Sequence, residues 1–125
     1  FSLSENTAYA CEPFVTTEQG GGFVRNGKIK NIFAINSRKK TKNDEADKLL
    51  NFIWENFNML PFALRWITKE WEEKEARELL DILIKKKAVQ AYPVLIEVNE
   101  QRVAQAEHTF IPSESGVTVT TKALE

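Results

Sequence analysis

Asn43-Asp44-Glu45-Ala46-Asp47-Lys48-Leu49-Leu50-Asn51-Phe52-Ile53-Trp54-Glu55-Asn56-Phe57 is the stretch on which the fold turns. Ala46, Leu49, Leu50, Ile53 and Phe57 recur at the three- and four-residue steps of one helix face. Asn43 is an N-cap candidate. Asp44, Glu45 and Asp47 fill the first turn, where negative charge meets the positive end of the helix dipole. Asn58 and Pro61 bound the far end, and Pro61 can open a second, short helix over about residues 62–69, where a missing N–H costs nothing. A third helix is predicted over about residues 72–86, with Ala76, Leu79, Leu80, Leu83 and Ile84 on one face. Glutamates at its start and Lys85, Lys86 and Lys87 at its end again suit the dipole, and no glycine closes it.

On both sides of this helical stretch the period drops to two. Residues 7–15 are aromatic and small-apolar but interrupted by Pro13, which has no N–H and belongs at a strand end, edge or bulge. Gly20, Gly21 and Gly22 read as a permissive loop, and Asn26-Gly27 between two apolar runs as a hairpin turn. After the helices, residues 92–98 alternate and a turn near Asn99-Glu100 leads into residues 102–111. Ser115-Gly116 turns the chain into a last β-branched strand. Strands, three helices, then strands predict an α+β fold, an antiparallel sheet carrying an inserted helical subdomain. The expected divisions are 1–36 for the first sheet segment, 37–90 for the insertion and 91–125 for the second sheet segment.

Composition excludes several classes of function. The chain has 125 residues, the length of one domain. Seventeen basic against eighteen acidic residues leave a net charge of −1, with no basic field for phosphate backbones, which argues against nucleic acid. One cysteine, Cys11, rules out an internal disulfide, and one histidine, His108, rules out a His-rich metal cluster. Gly20-Gly21-Gly22 lacks the following Lys-Ser/Thr of a phosphate loop. The apolar runs are far too short to span a bilayer, and no signal peptide is visible. The chain opens on Phe1, so it is expected to begin inside a longer protein. Trp54, Trp66 and Trp71 read as packing residues of the insertion.

Two carboxylates stand out by context. Glu12 lies in Tyr9-Ala10-Cys11-Glu12-Pro13-Phe14 and Glu107 in Val103-Ala104-Gln105-Ala106-Glu107-His108-Thr109-Phe110. An ionised carboxylate inside a strand is costly unless it is paired, hydrogen-bonded or bound to metal. From residue types alone, a surface-facing or salt-bridged Glu at each place is the simpler reading, with a shared metal site the sharper one.

Four motifs stand in order: Glu12-Pro13-Phe14, then Met59-Leu60-Pro61-Phe62-Ala63-Leu64-Arg65-Trp66, then Tyr92-Pro93-Val94-Leu95, then Ala104-Gln105-Ala106-Glu107-His108-Thr109. In order and spacing they resemble the type 2 methionine aminopeptidases, and the chain looks like the C-terminal portion of the archaeal branch, insertion included. The resemblance implies half of a pita-bread fold and a dinuclear site of two Asp, one His and two Glu, the glutamates falling on Glu12 and Glu107, the latter bridging both ions. Mn, Fe(II) or Co suits such oxygen-rich ligation, and Zn is compatible. The two Asp, the His ligand and the catalytic histidines are expected in an N-terminal half, so no catalytic residue is assigned within this chain.

The implied activity is cytoplasmic removal of the N-terminal methionine from nascent proteins, by metal-assisted hydrolysis of the first peptide bond. The implied partners are a nascent N-terminus and the missing N-terminal half, with no membrane. Phe14, Pro61 and Tyr92 match positions lining the pocket for the methionine side chain, and Ile32 stands where eukaryotic members carry a histidine. Phe14 and Ile32 are expected to be buried with or without a substrate. Cys11 and His108 are expected on the opposite face from the acids, as a packing residue and a hydrogen-bonding residue. The alternative is a non-catalytic pita-bread protein serving as a protein- or nucleic-acid-binding module. Retention of both acids favours the enzyme, and the insertion argues against a related enzyme cleaving before proline.

Overall fold

The structure, a computed structural model, describes residues 2–122. The chain forms two compact units, one from the residues up to Arg25 together with those from Ile96, the other Asn26–Leu95.

The second unit holds most of β3 (Val24–Ile35), α1 (Asp44–Phe57), β4 (Phe62–Ala63), α2 (Leu64–Ile67), α3 (Glu73–Lys85) and most of β5 (Val89–Glu97). Its strands lie in the order β4-β3-β5. Asn43 caps α1 as its sequence position suggests, its side chain accepting from the Ala46 N–H at 2.9 Å. Glu72 caps α3 by accepting from Lys74 and Glu75 N–H. The end of α3, which no glycine marks, is a Schellman turn built on Lys87. Its φ is +58°, its N–H reaches Ile84 O, and the Ala88 N–H reaches Leu83 O.

The apolar faces of α1 and α3 meet in one core, with Leu49, Ile53, Phe62, Ile67, Leu80, Leu83 and Val89 fully buried. The Phe62 ring lies 5.8 Å from Phe33 and 5.5 Å from Phe57, stacked with both. Trp54 and Trp71 pack against this core, Trp71 edge-on to Phe52 at 4.9 Å. Two expectations are corrected. The short helix starts at Leu64, because Phe62 and Ala63 pair with Phe33 and Ile32 as strand β4. Asn26-Gly27 lies inside the twelve-residue strand β3 and makes no hairpin: pairing of that strand with β4 and β5 overrides a two-residue turn preference.

The first unit is all β: β1 (Tyr9–Cys11), β2 (Phe14–Thr16), β6 (Val103–Gln105), β7 (His108–Ser113) and β8 (Gly116–Val119). The sheets are β1-β7-β8 and β2-β6, with antiparallel neighbours throughout. The β7–β8 hairpin turns at Glu114-Ser115, one residue ahead of the sequence expectation. Among the described residues of this unit no hydrophobic side chain is buried, and the buried polar one is Glu97. α+β architecture with antiparallel sheets and helices between them matches the sequence order.

Candidate metal-ligand ladder

Glu12 and Glu107 sit at one interruption shared by two strand pairs. β1 pairs with β7 so that Cys11 lies opposite His108, and β2 pairs with β6 so that Phe14 lies opposite Gln105. The register is the same on both sides. Counting inward from either end brings Glu12 opposite Glu107 and Pro13 opposite Ala106. The ladder breaks here because Pro13 has no N–H to give; its carbonyl still accepts from the Ala106 N–H at 3.2 Å. The interruption that the proline announces therefore falls on the two acids.

Directly opposed residues of an antiparallel pair present their side chains on one face, with Cβ atoms about 4.5–5.5 Å apart. Two like charges so placed destabilise the pair unless something neutralises them. Glu12 accepts a neutral hydrogen bond, from Gln105 Nε2 to Oε2 at 3.2 Å, and among the described residues neither acid takes part in an ion pair. Both are exposed. A divalent cation that prefers oxygen donors suits two carboxylates in this relation. They make only part of a ligand set, since among the described residues no group of three or more His, Cys, Asp or Glu comes together.

Cys11 and His108 stand one step along the ladder and so on the other face. His108 Nδ1 lies 3.0 Å from Thr121 Oγ1, which also accepts from the Thr109 N–H at 2.9 Å, the hydrogen-bonding role expected of it. Cys11 is exposed and does not pack, contrary to expectation.

Phe14 follows Glu12 by two residues, but it is 57% exposed rather than buried, on one wall of a shallow cleft of about 70 Å³. In the second unit Ile32 pairs with Ala63 and is 41% exposed, again not buried; it borders a groove of about 280 Å³ with Leu64 and Arg65. Pro61 is exposed and precedes β4, not a helix. Tyr92 lies in β5, 41% exposed, its hydroxyl accepting from Gln90 Nε2. Strand position gives Phe14, Ile32 and Tyr92 a face, but burial needs a second layer, and all three remain more than 40% exposed.

Glu97 carries a role that residue types did not reveal. It is 3% exposed, and its carboxylate gathers four backbone N–H groups from two loops. Oε1 accepts from Gly21 at 2.5 Å and Gly22 at 3.2 Å, and Oε2 from Asn99 at 2.7 Å and Gln101 at 3.2 Å. Burial pushes this carboxyl up, but the four N–H donors outweigh it and hold the pKa below the ordinary glutamate value. The glycine loop is thus fastened rather than free. A Cβ on Gly21 would meet Val98 Cγ1 at 2.3 Å, and Gly22 has a φ of +76°. The available sign was an acid ending an apolar strand, five residues after Tyr92 and opposite a glycine run in no sequence-local sense, so only the fold joins them.

Comparison with known proteins now gives the ladder a context. No family model matches. Methionine aminopeptidase of Saccharolobus solfataricus is 38% identical over 125 residues, covering 98% of this chain and 40% of that protein. The chain is similar to archaeal methionine aminopeptidases. That of Methanocaldococcus jannaschii is 40% identical over 113 residues, covering 90% of this chain and 37% of that protein. That of Thermococcus kodakarensis is 37% identical over 121 residues, covering 97% and 40%. The chain thus spans about two fifths of the length of these relatives. The resemblance to the C-terminal portion of this group, carried in the sequence by four short motifs, holds across nearly the whole chain. Among solved structures, a thermophilic Arx1 superposes with a TM-score of 0.73 at 18% identity, covering 90% of this chain and 29% of that one. That likeness concerns fold alone and agrees with the pita-bread expectation. No helix among the described residues is long and apolar enough to cross a membrane.

Proposed function

We propose that the chain is the C-terminal part of a methionine aminopeptidase, a dinuclear-metal hydrolase that removes the N-terminal methionine from nascent proteins in the cytoplasm. The observation that supports the reading is the common register on either side of the strand break, from which Glu12 and Glu107 count to the same step. Similarity along 98% of the chain to a methionine aminopeptidase supplies the substrate class. Residues 1–36 and 91–125 are read as the two sheet segments and 37–90 as the insertion.

In this reading Glu12 and Glu107 would supply carboxylate ligands to two divalent ions, Mn, Fe(II) or Co, with Zn compatible. When bound, the ions supply an activated water and stabilise charge developing on the scissile carbonyl. Gln105 steadies the Glu12 carboxylate through its amide. Phe14 in the first unit, and Ile32, Pro61 and Tyr92 in the second, are each read as offering apolar or aromatic surface to substrate. The remaining ligands and the acid–base groups come from an N-terminal portion, which is the second partner besides the nascent chain.

The test is methionine release from a Met-Ala-Ser peptide with Mn or Co, by this chain alone and by this chain completed with an upstream portion carrying two Asp and a His. Turnover only in the completed protein is the expected result. Turnover by this chain alone overturns the split ligand set, and an inactive completed protein overturns the enzyme reading in favour of a binding module.

A further inference from the structure

The Glu97 clamp and the cleft at Phe14 are one local structure. Phe14, Thr16, Gly22, Phe23, Val103 and Glu97 itself border the same cleft of about 70 Å³. That space corresponds to roughly two waters or a short unbranched side chain. One wall, Phe14 to Thr16, is fixed by the β2–β6 pairing with Val103 to Gln105. Gly22 and Phe23, which also line the cleft, belong to the loop between β2 and β3. That loop is held by the Glu97 carboxylate at Gly21 and Gly22, by the Val98 N–H on Phe23 O at 3.0 Å and by Asn99 Nδ2 on Gln19 O at 3.0 Å. The same carboxylate holds Asn99 and Gln101, at the start of the segment leading to Val103. Glu97 thus bonds both segments that border the cleft, and it supplies four of the bonds between them, beside Thr17 Oγ1 on Gln101 Oε1 at 3.2 Å and Thr16 Oγ1 on Arg102 O at 3.0 Å.

We propose that Glu97 is a positioning residue for substrate selection: by fastening the glycine loop and the β5–β6 turn together, it sets the width of the cleft in which Phe14 meets the apolar side chain of the substrate. This rests on the proposed function in so far as Phe14 touches substrate. Glu97 touches no reacting atom and acts through Gly22, Phe23 and Val103. A carboxylate suits the task because each oxygen accepts two bonds and neither donates. A glutamine would turn an N–H donor toward two of the four amides.

Two variants test it. Glu97→Gln removes half of the acceptor capacity. Gly21→Ala leaves the carboxylate in place and opens the clamp from the loop side, where the new Cβ meets Val98. The first measurement is NMR on the 125-residue chain. Amide exchange at Gly21, Gly22, Asn99 and Gln101 is expected to quicken by about tenfold or more in both variants. The Phe14 ring and Val103 methyl signals should shift, while amides of β7 and β8, in the same unit, stay unchanged and report that this unit is folded. Released amides with unmoved Phe14 and Val103 signals overturn the proposal, because Glu97 then holds loops without shaping the cleft. The second measurement is steady-state kinetics on the completed protein. KM for Met-Ala-Ser is expected to rise about tenfold, the size of a one-methylene misfit, with kcat changed far less and with weaker discrimination against a Leu-Ala-Ser peptide. An equal fall in kcat with unchanged discrimination overturns it. If the completed wild-type protein fails to turn over, the aminopeptidase reading has failed, and the NMR result alone decides what Glu97 does to the cleft.

Discussion

Phe62→Ala is expected to remove much of the stability of the second unit. Phe62 is fully buried and stacked with both Phe33 and Phe57, so truncation deletes a whole ring and both of its stacking contacts at once. Phe→Ala in a packed core costs about 3–5 kcal/mol, lost stacking included, because the cavity collapses only in part. A unit of this size has a total stability of about 4–10 kcal/mol. The loss thus takes between a third and all of it. All three tryptophans, Trp54, Trp66 and Trp71, lie in this unit, so intrinsic fluorescence during urea unfolding reports on it selectively. Val117→Ala, on an exposed side chain of the other unit, is the control and should leave the fluorescence transition in place. A cost below about 1 kcal/mol for Phe62→Ala refutes the argument that one aromatic stack joins β3, β4 and α1 into the core.

Other outcomes follow from the same structure. Glu12→Gln and Glu107→Gln should each weaken Mn binding to the completed protein by at least about tenfold, measured by calorimetry, since each removes a charged oxygen donor. Asn43→Ala removes the bond to the Ala46 N–H and should cost about 1 kcal/mol in urea unfolding followed by helical circular dichroism. The Glu97 carboxyl titrates below its unfolded value in the folded chain, so its clamp contributes fully above that value and is lost as pH falls through the folded pKa. Protection of Gly21 and Gly22 amides should therefore fall on acidification below pH 4.5, while α3 amides keep theirs.

The helical part of the fold was legible because its signals are local. Asn43 caps, the apolar stripe of α1 repeats at helical spacing, and both survive unchanged in the structure. Pro13 likewise marked a true break, since a missing N–H acts in any fold. The misreadings come from long-range pairing. Asn26-Gly27 favours a turn in isolation, yet the strand through it is held by neighbours far away in sequence. Phe62 looked helical beside Leu64 and Trp66 but is captured by Phe33. The candidate acids were visible as misfits in apolar strands, and four motifs gave them a family likeness. Glu97 was not visible, because what makes it special is four amides supplied by two loops, and no spacing rule encodes that.

The layout also sets a timetable for folding. Tyr9 finds Phe110 and Thr16 finds Val103 across most of the chain's length. Everything the second unit needs lies between Asn26 and Leu95, and its helices and β4 contact near neighbours. Once β3 and β5 lie in one sheet, the loop left to close before β2 meets β6 shrinks from nearly ninety residues to fewer than twenty. Chain-closure entropy then favours the ladder by about 1–2 kcal/mol more than before. The insertion thus acts as a clasp that draws distant strands within reach. The ladder bearing Glu12 and Glu107 is therefore expected to form after it, so that Phe62→Ala, in a core that touches neither acid, should slow the pairing of their strands.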